Sequence, residues 1–371
     1  MSMKRIMGVV NLINEPDHME ELTFNRCVAS VPFAGRYRLI DFTLSNMVNS
    51  GVEDIAIFTH HKYRSLMDHL GSGKEWDLDR KRGGLFLLPP AMDVPSGISK
   101  GDLFQFFVHR DYFHRGREQY VLISRSHIAC NIDYNDVVRQ HEETGADITC
   151  VYAELEERDD SIYRKLAVSP EGKITAMQDR TGRLASNQVS LEMYLMSKQL
   201  LLDMVETCLA QGDDHFVRDG IMKNLSALHM YGYKHTGYTG IINTIQSYYR
   251  HNMALLNPVV LHALFFDPAP IYTKVKDEPP AIYKDSSDAR NSLVANGCVI
   301  EGRVENSIIS RGVKVHPGAT VRNCILLQNC EIGEHAFIEN AILDKDVYID
   351  SGRVLTGAGT APFIAAKKKV I

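Results

Sequence analysis

The stretch VKVHPGATVRNCILLQNCEIGEHAFIENAIL (313–343) repeats itself about every six residues. Val313, Ala319 and Ile325 are spaced by six, as are Cys330, Ala336 and Ile342, and a companion row two residues later runs through Val315, Val321 and Leu327, then Ile332 and Ile338. Gly297, Gly302, Gly312, Gly318 and Gly333 fall between the rows, where a turn needs a permissive backbone. Small or β-branched residues held at one phase of such a period predict a parallel β-helix, each coil stacking its inward residue on the next. The phase contracts by one residue between Ile325 and Cys330 and again between Ile342 and Val347, which reads as altered corners within a continuing coil. The period extends over 291–357, so the C-terminal domain is placed at 291–371. The open ends and flat faces of such a coil commonly serve assembly.

Before this region the character differs. Pro258, Pro268, Pro270, Pro279 and Pro280 mark 256–290 as an extended linker and not a helix. Residues 1–255 alternate short apolar runs, DIAIFTH (54–60), QYVLIS (119–124), ADITCVYAE (146–154) and VSLEMYLM (189–196), with segments of helical period at 40–50, 102–115, 134–144 and 197–211. That alternation predicts an α/β domain with a mostly parallel sheet and helices on both faces.

With 371 residues, 44% hydrophobic and 23% charged, the chain has the composition of a globular protein with two cores. A net charge of -5 without a basic stripe excludes a nucleic-acid binder by footprint. The seven cysteines are scattered, with no CxxC pair, and read as reduced, mostly buried thiols. The N-terminus MSMKRIMGVVNLI lacks a small-residue cleavage site and reads as a first strand, which gives a cytoplasmic expectation without membrane contact.

At VPFAGRYRLIDFTLSN (31–46), GSGKEWDLDR (71–80), PIYTKVKDEPPA (270–281) and VENSIISRGVKV (304–315) the sequence resembles the glucose-1-phosphate adenylyltransferases, most closely a paralogous, non-catalytic second subunit found in some bacteria. The resemblance runs from about residue 6 to about 350. It implies a Rossmann-like nucleotidyltransferase domain, then a left-handed β-helix, assembled as a tetramer. The reaction it implies joins ATP and glucose 1-phosphate to give ADP-glucose and pyrophosphate, with Mg²⁺ held by carboxylates.

Four parts of that family pattern depart here. The glycine-rich loop LAGGxGTRL is replaced by Leu12, Ile13, Asn14, Glu15, Pro16, Asp17 and His18: Pro16 has no N–H to donate, and Glu15 and Asp17 repel a triphosphate. The lysine of RAKPAVPF is Val28. The metal-ligating Asp of LSGDHIY is Ser126, beside Arg125, and the second carboxylate, in GYWxDVGT, is Ile241. The adenine-side motif GTAD reads GDLF (101–104). Each such group is typically worth about 2.7–4 kcal/mol in a transition state, so losing four removes ordinary catalysis. No catalytic residue, metal ligand or Mg²⁺ cofactor is therefore expected.

Other positions keep polar character. Asp179 and Arg180 stand for the Glu and Lys of FVEKP, and Ser190 matches the serine of SMGIY; they read as a sugar-phosphate-binding remnant or as surface charges left after selection relaxed. Arg26, Arg36 and Arg38 fall where the family lines an anionic effector pocket, and read either as ligands for a phosphorylated effector or as a salt-bridged face. His60 and His61 have no metal-spaced partner and read as structural. The expectation is a regulatory subunit that tunes a catalytic adenylyltransferase partner in a hetero-oligomer for glycogen synthesis. A weak or altered sugar-phosphate nucleotidyltransferase, with Glu15, Asp17 or Asp102 as rebuilt ligands, is the alternative, and a stand-alone sugar-phosphate sensor a third.

Overall fold

The computed structural model describes residues 6–59, 62–90, 101–155, 162–179 and 182–371, which leaves His60, His61 and Arg180 outside the described residues. The first domain is built on a nine-stranded mixed sheet. Its strands are β1 (Ile6–Asn11), β2 (Asp54–Phe58), β3 (Gly84–Leu88), β4 (Tyr120–Ser124), β5 (Ile148–Glu154), β6 (Arg164–Val168), β7 (Ile174–Asp179), β8 (Gln188–Ser197) and β9 (Met230–Lys234). They lie in the order β7-β6-β8-β4-β1-β2-β3, with β5 pairing β8 and β9. The block β4-β1-β2-β3 is parallel throughout, whereas β8 runs antiparallel to β4, β5 and β6. A strand between two parallel neighbours buries both faces, and all six residues of β1 are buried. A Cβ on Gly8 in that strand would stand 2.9 Å from Met47 Sδ and 3.1 Å from Ile55 Cγ1, so glycine eases the close packing of helix α1 (Leu39–Asn49) on the sheet.

The predicted helices form with identifiable ends. The 102–115 segment is two helices, α2 (Asp102–Val108) and α3 (Arg110–Arg115), meeting at His109. In α4 (Tyr134–Thr144) Asp133 accepts from the Asn135 amide and Gly145 ends the helix at φ +59°. In α5 (Lys198–Ala210) Ser197 accepts from Leu200 N. Separate apolar clusters fill the two faces of the sheet.

The linker differs from its reading as extended throughout. After α6 (Ile245–Ala254), residues Pro258–Phe265 form a helix, α7. Pro258 sits in the first turn, where its missing N–H costs nothing, and Asn257 accepts from Val259 N. The coil also begins earlier than residue 291, since Ile282–Tyr283 already pairs with Val299–Ile300.

The second domain is a left-handed parallel β-helix of three five-stranded parallel sheets. Ile282 pairs with Val299 at a spacing of 17 residues, the spacing contracts to 15 where Asp288 pairs with Arg303 and Leu293 with Ile308, and it returns to 17 where Arg303 pairs with Thr320 and Ile308 with Ile325. Corners in the left-handed region recur at Asn291, Asn306, Asn323 and Asn340, at Gly297, Gly312, Asn329 and Asp346, and in the later coils at Gly318, His335 and Gly352. Asparagine and aspartate tolerate that conformation, so glycine is not needed at each corner.

The rows are corrected at one side of the triangle. Val313, Val315, Ala319, Val321, Cys330, Ile332, Ala336 and Ile338 do line the coil interior, but on the third side the interior residues are Cys324, Leu326, Ala341 and Leu343. Ile325, Leu327 and Ile342 pack outward with Phe33, Phe42 and Tyr248 of the first domain and Leu264 and Phe265 of the linker helix. The contraction therefore lies one side earlier, between Ala319 and Cys324 and between Ala336 and Ala341. Hydrophobicity could not separate the two faces of this strand because both are buried. The domains are further joined by Tyr249, whose hydroxyl donates to Asn323 O at 2.7 Å, and by an Arg26–Asp344 ion pair at 2.7 Å.

Candidate functional site

Ligands in open α/β sheets bind beyond the carboxyl ends of the strands, here the ends of β1 and β4. The chain leaves β1 at Asn11, whose side chain accepts from Ile13 N at 3.1 Å and donates to Asp102 Oδ2 at 2.8 Å. Asn14 takes φ +54°, and the next residue, Glu15, turns its side chain inward until only 4% is exposed. Its Oε1 accepts from the Ser126 amide at 2.6 Å, the Ser126 hydroxyl at 2.8 Å and the His127 amide at 3.0 Å, with His127 Nδ1 at 3.2 Å; its Oε2 also lies 2.8 Å from Ser126 Oγ. Burial on its own would raise the Glu15 pKa, but the hydrogen bond and charge of His127, the Arg125 guanidinium and the Ser126 amide hold it below the usual carboxylate range.

Arg125 does not face open solvent. Its Nη1 donates to the carbonyls of Asn11, at 3.1 Å, and Ile13, and its guanidinium lies 3.5 Å from Asp102 and 4.0 Å from Glu192. In the SMGIY pattern that Ser190 matches, the position two residues on is glycine; here it is Glu192, held at φ +55°. Its carboxylate accepts from Arg164 Nη1 at 2.5 Å, and Arg164 Nε lies 2.9 Å from Asp179. Burial would raise the Glu192 pKa, and Arg164, Arg125 and His127 together bring it below the ordinary value. The price of a buried side chain in the left-handed region is of order 1–3 kcal/mol, offset here by the two arginines.

A cavity of about 280 Å³ remains beside these groups, lined by Pro16, His127, Tyr163, Arg164, Asp179, Ser190, Glu192 and Ile241 among others. The structure thus brings Ser190, Asp179, Ile241 and the Ser126–His127 turn to one place. Ser190 Oγ is engaged, lying 3.2 Å from Tyr194 Oη and accepting from Glu192 N at 3.0 Å. Val28 is not there: it is buried in the apolar cluster with Met19, Leu22 and Phe33. Asp17 accepts from Met19 N and Thr23 Oγ1 at 3.1 and 2.9 Å, which makes it a local cap.

A second cavity, of about 180 Å³, lies where the domains meet. Arg36 and Arg38 line it from the first domain, Lys274 and Lys276 from the linker and Arg311 from the β-helix. Burial, and then the surrounding cations, lower the pKa of Lys276 and Arg311; burial likewise lowers that of Arg38, with Asp41 opposing and Arg26 adding. Lys345, beside them, is pressed down to about 7 by burial first and then by Arg38 and Arg26. Arg26 is not part of this lining, because its Nη2 is held bidentately by Asp344 at 2.8 and 2.7 Å.

The nucleotidyl transferase family profile matches residues 18–257, and the GlmU-like, C-terminal hexapeptide profile matches 279–359. The chain is 41% identical over 357 residues to glycogen biosynthesis protein GlgD of Bacillus subtilis (strain 168), covering 96% of this chain and 94% of that one. The chain belongs to the glucose-1-phosphate adenylyltransferase and GlgD family. It is also 42% identical over 342 residues to GlgD of Geobacillus stearothermophilus, covering 85% and 83% of the two chains. With glucose-1-phosphate adenylyltransferase of Fervidobacterium nodosum the figure is 31% over 353 residues, covering 94% and 85%.

The family pattern puts Mg²⁺ carboxylates where this GlgD-like chain has Ser126 and Ile241. The residues present do not fit that ion. The nearest carboxylate, Glu15, is surrounded by hydrogen-bond donors, and Arg125 adds positive charge beside it. Among the described residues no group of three His, Cys, Asp or Glu side chains is arranged to hold a metal, and no helix is long and apolar enough to cross a membrane. Sequence reasoning missed Glu192, legible as a charged residue at a motif glycine, and Lys274, Lys276 and Arg311, which stand in stretches read only as scaffold.

Proposed function

We propose that this chain is a regulatory, non-catalytic subunit of a glucose-1-phosphate adenylyltransferase in glycogen biosynthesis, and that it tunes a catalytic partner within a hetero-oligomer, by the resemblance a tetramer. The observation that carries the reading is the Glu15 carboxylate seated on Ser126 and His127, at the position from which the family pattern holds a metal. A site in which both the metal ligands and the phosphate loop are replaced, and the vacated space is filled from within, is not poised for phosphoryl chemistry. The similarity to proteins named for glycogen biosynthesis supplies the pathway.

Regulation needs a partner and a signal. The junction cavity supplies a place for the signal: Arg36, Arg38, Lys274, Lys276 and Arg311 favour a phosphorylated metabolite, and they come from both domains and the linker, so a bound anion would tie the three together. A ligand that binds one arrangement of the domains better than another shifts the population seen by the partner subunit. The test is ADP-glucose synthesis by this chain alone, by a cognate catalytic subunit alone and by the two mixed. A silent chain that accelerates its partner is the expected result; synthesis by the chain alone, abolished by substitutions at its own site, would overturn the reading.

A further inference from the structure

Glu15 is coordinated as though it were a ligand. Its backbone lies on a partly exposed loop, yet its carboxylate is turned into the domain and met by two successive backbone amides, a hydroxyl, an imidazole nitrogen and the field of a buried guanidinium. Successive backbone N–H groups that converge on one oxygen form an anion-binding concavity, and the combination with hydroxyl, imidazole and guanidinium is the donor set of a phosphoryl group. None of these donors comes from the loop that carries Glu15. Ser126 and His127 follow β4, Arg125 is anchored on the carbonyls of Asn11 and Ile13, and the backbone after Ser126 is held by the His127 carbonyl accepting from Ile242 N and by the short pairing of Ile128–Cys130 with Thr239–Ile241. The two backbone amides of the cradle are therefore held independently of its occupant, while Arg125 is anchored partly by the segment that leads to Glu15.

We infer that Ser126, His127 and Arg125 form an anion cradle whose built-in occupant is the Glu15 carboxylate, an internal ligand that excludes phosphoanions such as pyrophosphate from this chain's site. The inference deepens the non-catalytic reading of the same site. A phosphoanion must displace Glu15 before it can bind, so its apparent affinity falls by the fraction of molecules in which the carboxylate has left. Since His127, Arg125 and the Ser126 amide together outweigh burial and favour the ionised carboxylate, that fraction is small at neutral pH.

The experiment is calorimetric titration of the full chain with inorganic pyrophosphate, free of divalent metal. Wild type, Glu15→Ala and Glu15→Gln are compared, each also carrying Arg36→Ala and Arg311→Ala to silence the junction cavity. Glu15→Ala is expected to bind one pyrophosphate about tenfold or more tighter than its parent, because the competing carboxylate is gone while the donors stay. If Glu15→Ala does not fold, as judged by circular dichroism, Glu15→Gln keeps the shape without the charge and is expected to show a smaller gain over the same parent. Folded variants with no gain over the parent would overturn the inference. Partner stimulation is measured separately on the wild type: a gain in pyrophosphate binding with no stimulation of the partner would sink the proposed function and leave the internal ligand standing, and the reverse pattern would do the opposite.

Discussion

Replacing Asp344 by Asn removes the counter-ion that the β-helix supplies to Arg26. The two side chains are 5% and 2% exposed, and Arg26 Nη2 reaches both carboxylate oxygens. Arg26 Nη1 is also buried, without a hydrogen-bond partner among the described residues, so the guanidinium has no alternative acceptor in place. Charges 2.7 Å apart attract by about 6 kcal/mol at an effective dielectric of 20, and the attraction is what offsets the desolvation of both groups. With the carboxylate gone the arginine remains buried and uncompensated, and breaking such a pair costs about 3–5 kcal/mol. Because the pair spans the two domains, the loss falls on their docking. Scanning calorimetry is expected to resolve two transitions where the wild type unfolds more cooperatively, and protease is expected to cut the 266–281 segment faster. Replacing both partners, Arg26→Met with Asp344→Leu, should restore most of the loss, since no charge is then left unpaired. A stability for Asp344→Asn within about 0.5 kcal/mol of wild type would refute the reasoning, placing this residue among ordinary surface substitutions.

Two further outcomes follow from the charges at the domain junction and beside Glu15. Lys345, with its pKa near 7, is neutral in a large share of folded molecules but protonated in unfolded chains up to about pH 10.4, so its contribution raises stability as pH increases from 7 towards that value. An anion in the junction cavity favours the ammonium, and phosphate binding just above pH 7 is expected to take up a proton, read as a dependence of calorimetric heat on buffer ionisation enthalpy; an unchanged dependence in Lys345→Met would assign the proton elsewhere. Restoring the family's acid with Ser126→Asp would set a second carboxylate against Glu15, whose oxygens now lie 2.8 Å from Ser126 Oγ. Like charges at that range cannot both ionise, so the single change is expected to lower thermal stability and to yield no ADP-glucose synthesis, and synthesis restored by that one substitution would contradict the filled-site account.

The architecture was largely legible because periodicity is a local signal. The six-residue rows marked the β-helix, and α4 formed over 134–144 as its helical period indicated. The failures occur where one residue serves two surfaces or where a local signal is ambiguous. Ile325 and Ile342 are as apolar as interior residues because they cover the first domain, and Pro258 breaks a helix anywhere except in its first turn, which is where it stands. At the site, the replaced positions could be identified one by one from motifs, but their new partners could not. That Ser126 is met by Glu15, 111 positions earlier, depends on how two loops fold over the sheet.

The changes at this site are coupled and not a set of independent losses. A serine at a metal position leaves two amides and a hydroxyl pointing at empty space, and Glu15 satisfies them. Arg125 would be an unpaired buried charge without Asp102 and Glu192, and Glu192 would be strained without return if Arg164 and Arg125 did not hold its carboxylate. Each substitution therefore makes sense only with its neighbour in place, and together they trade groups that bind ligands for groups that bind one another. A domain stabilised in this way keeps its shape without substrate. If the chain acts as the proposed regulatory subunit, that constancy has a use: the conformation presented to a partner would no longer rise and fall with nucleotide, and the cations at the junction of the domains would be the place for a metabolite to act.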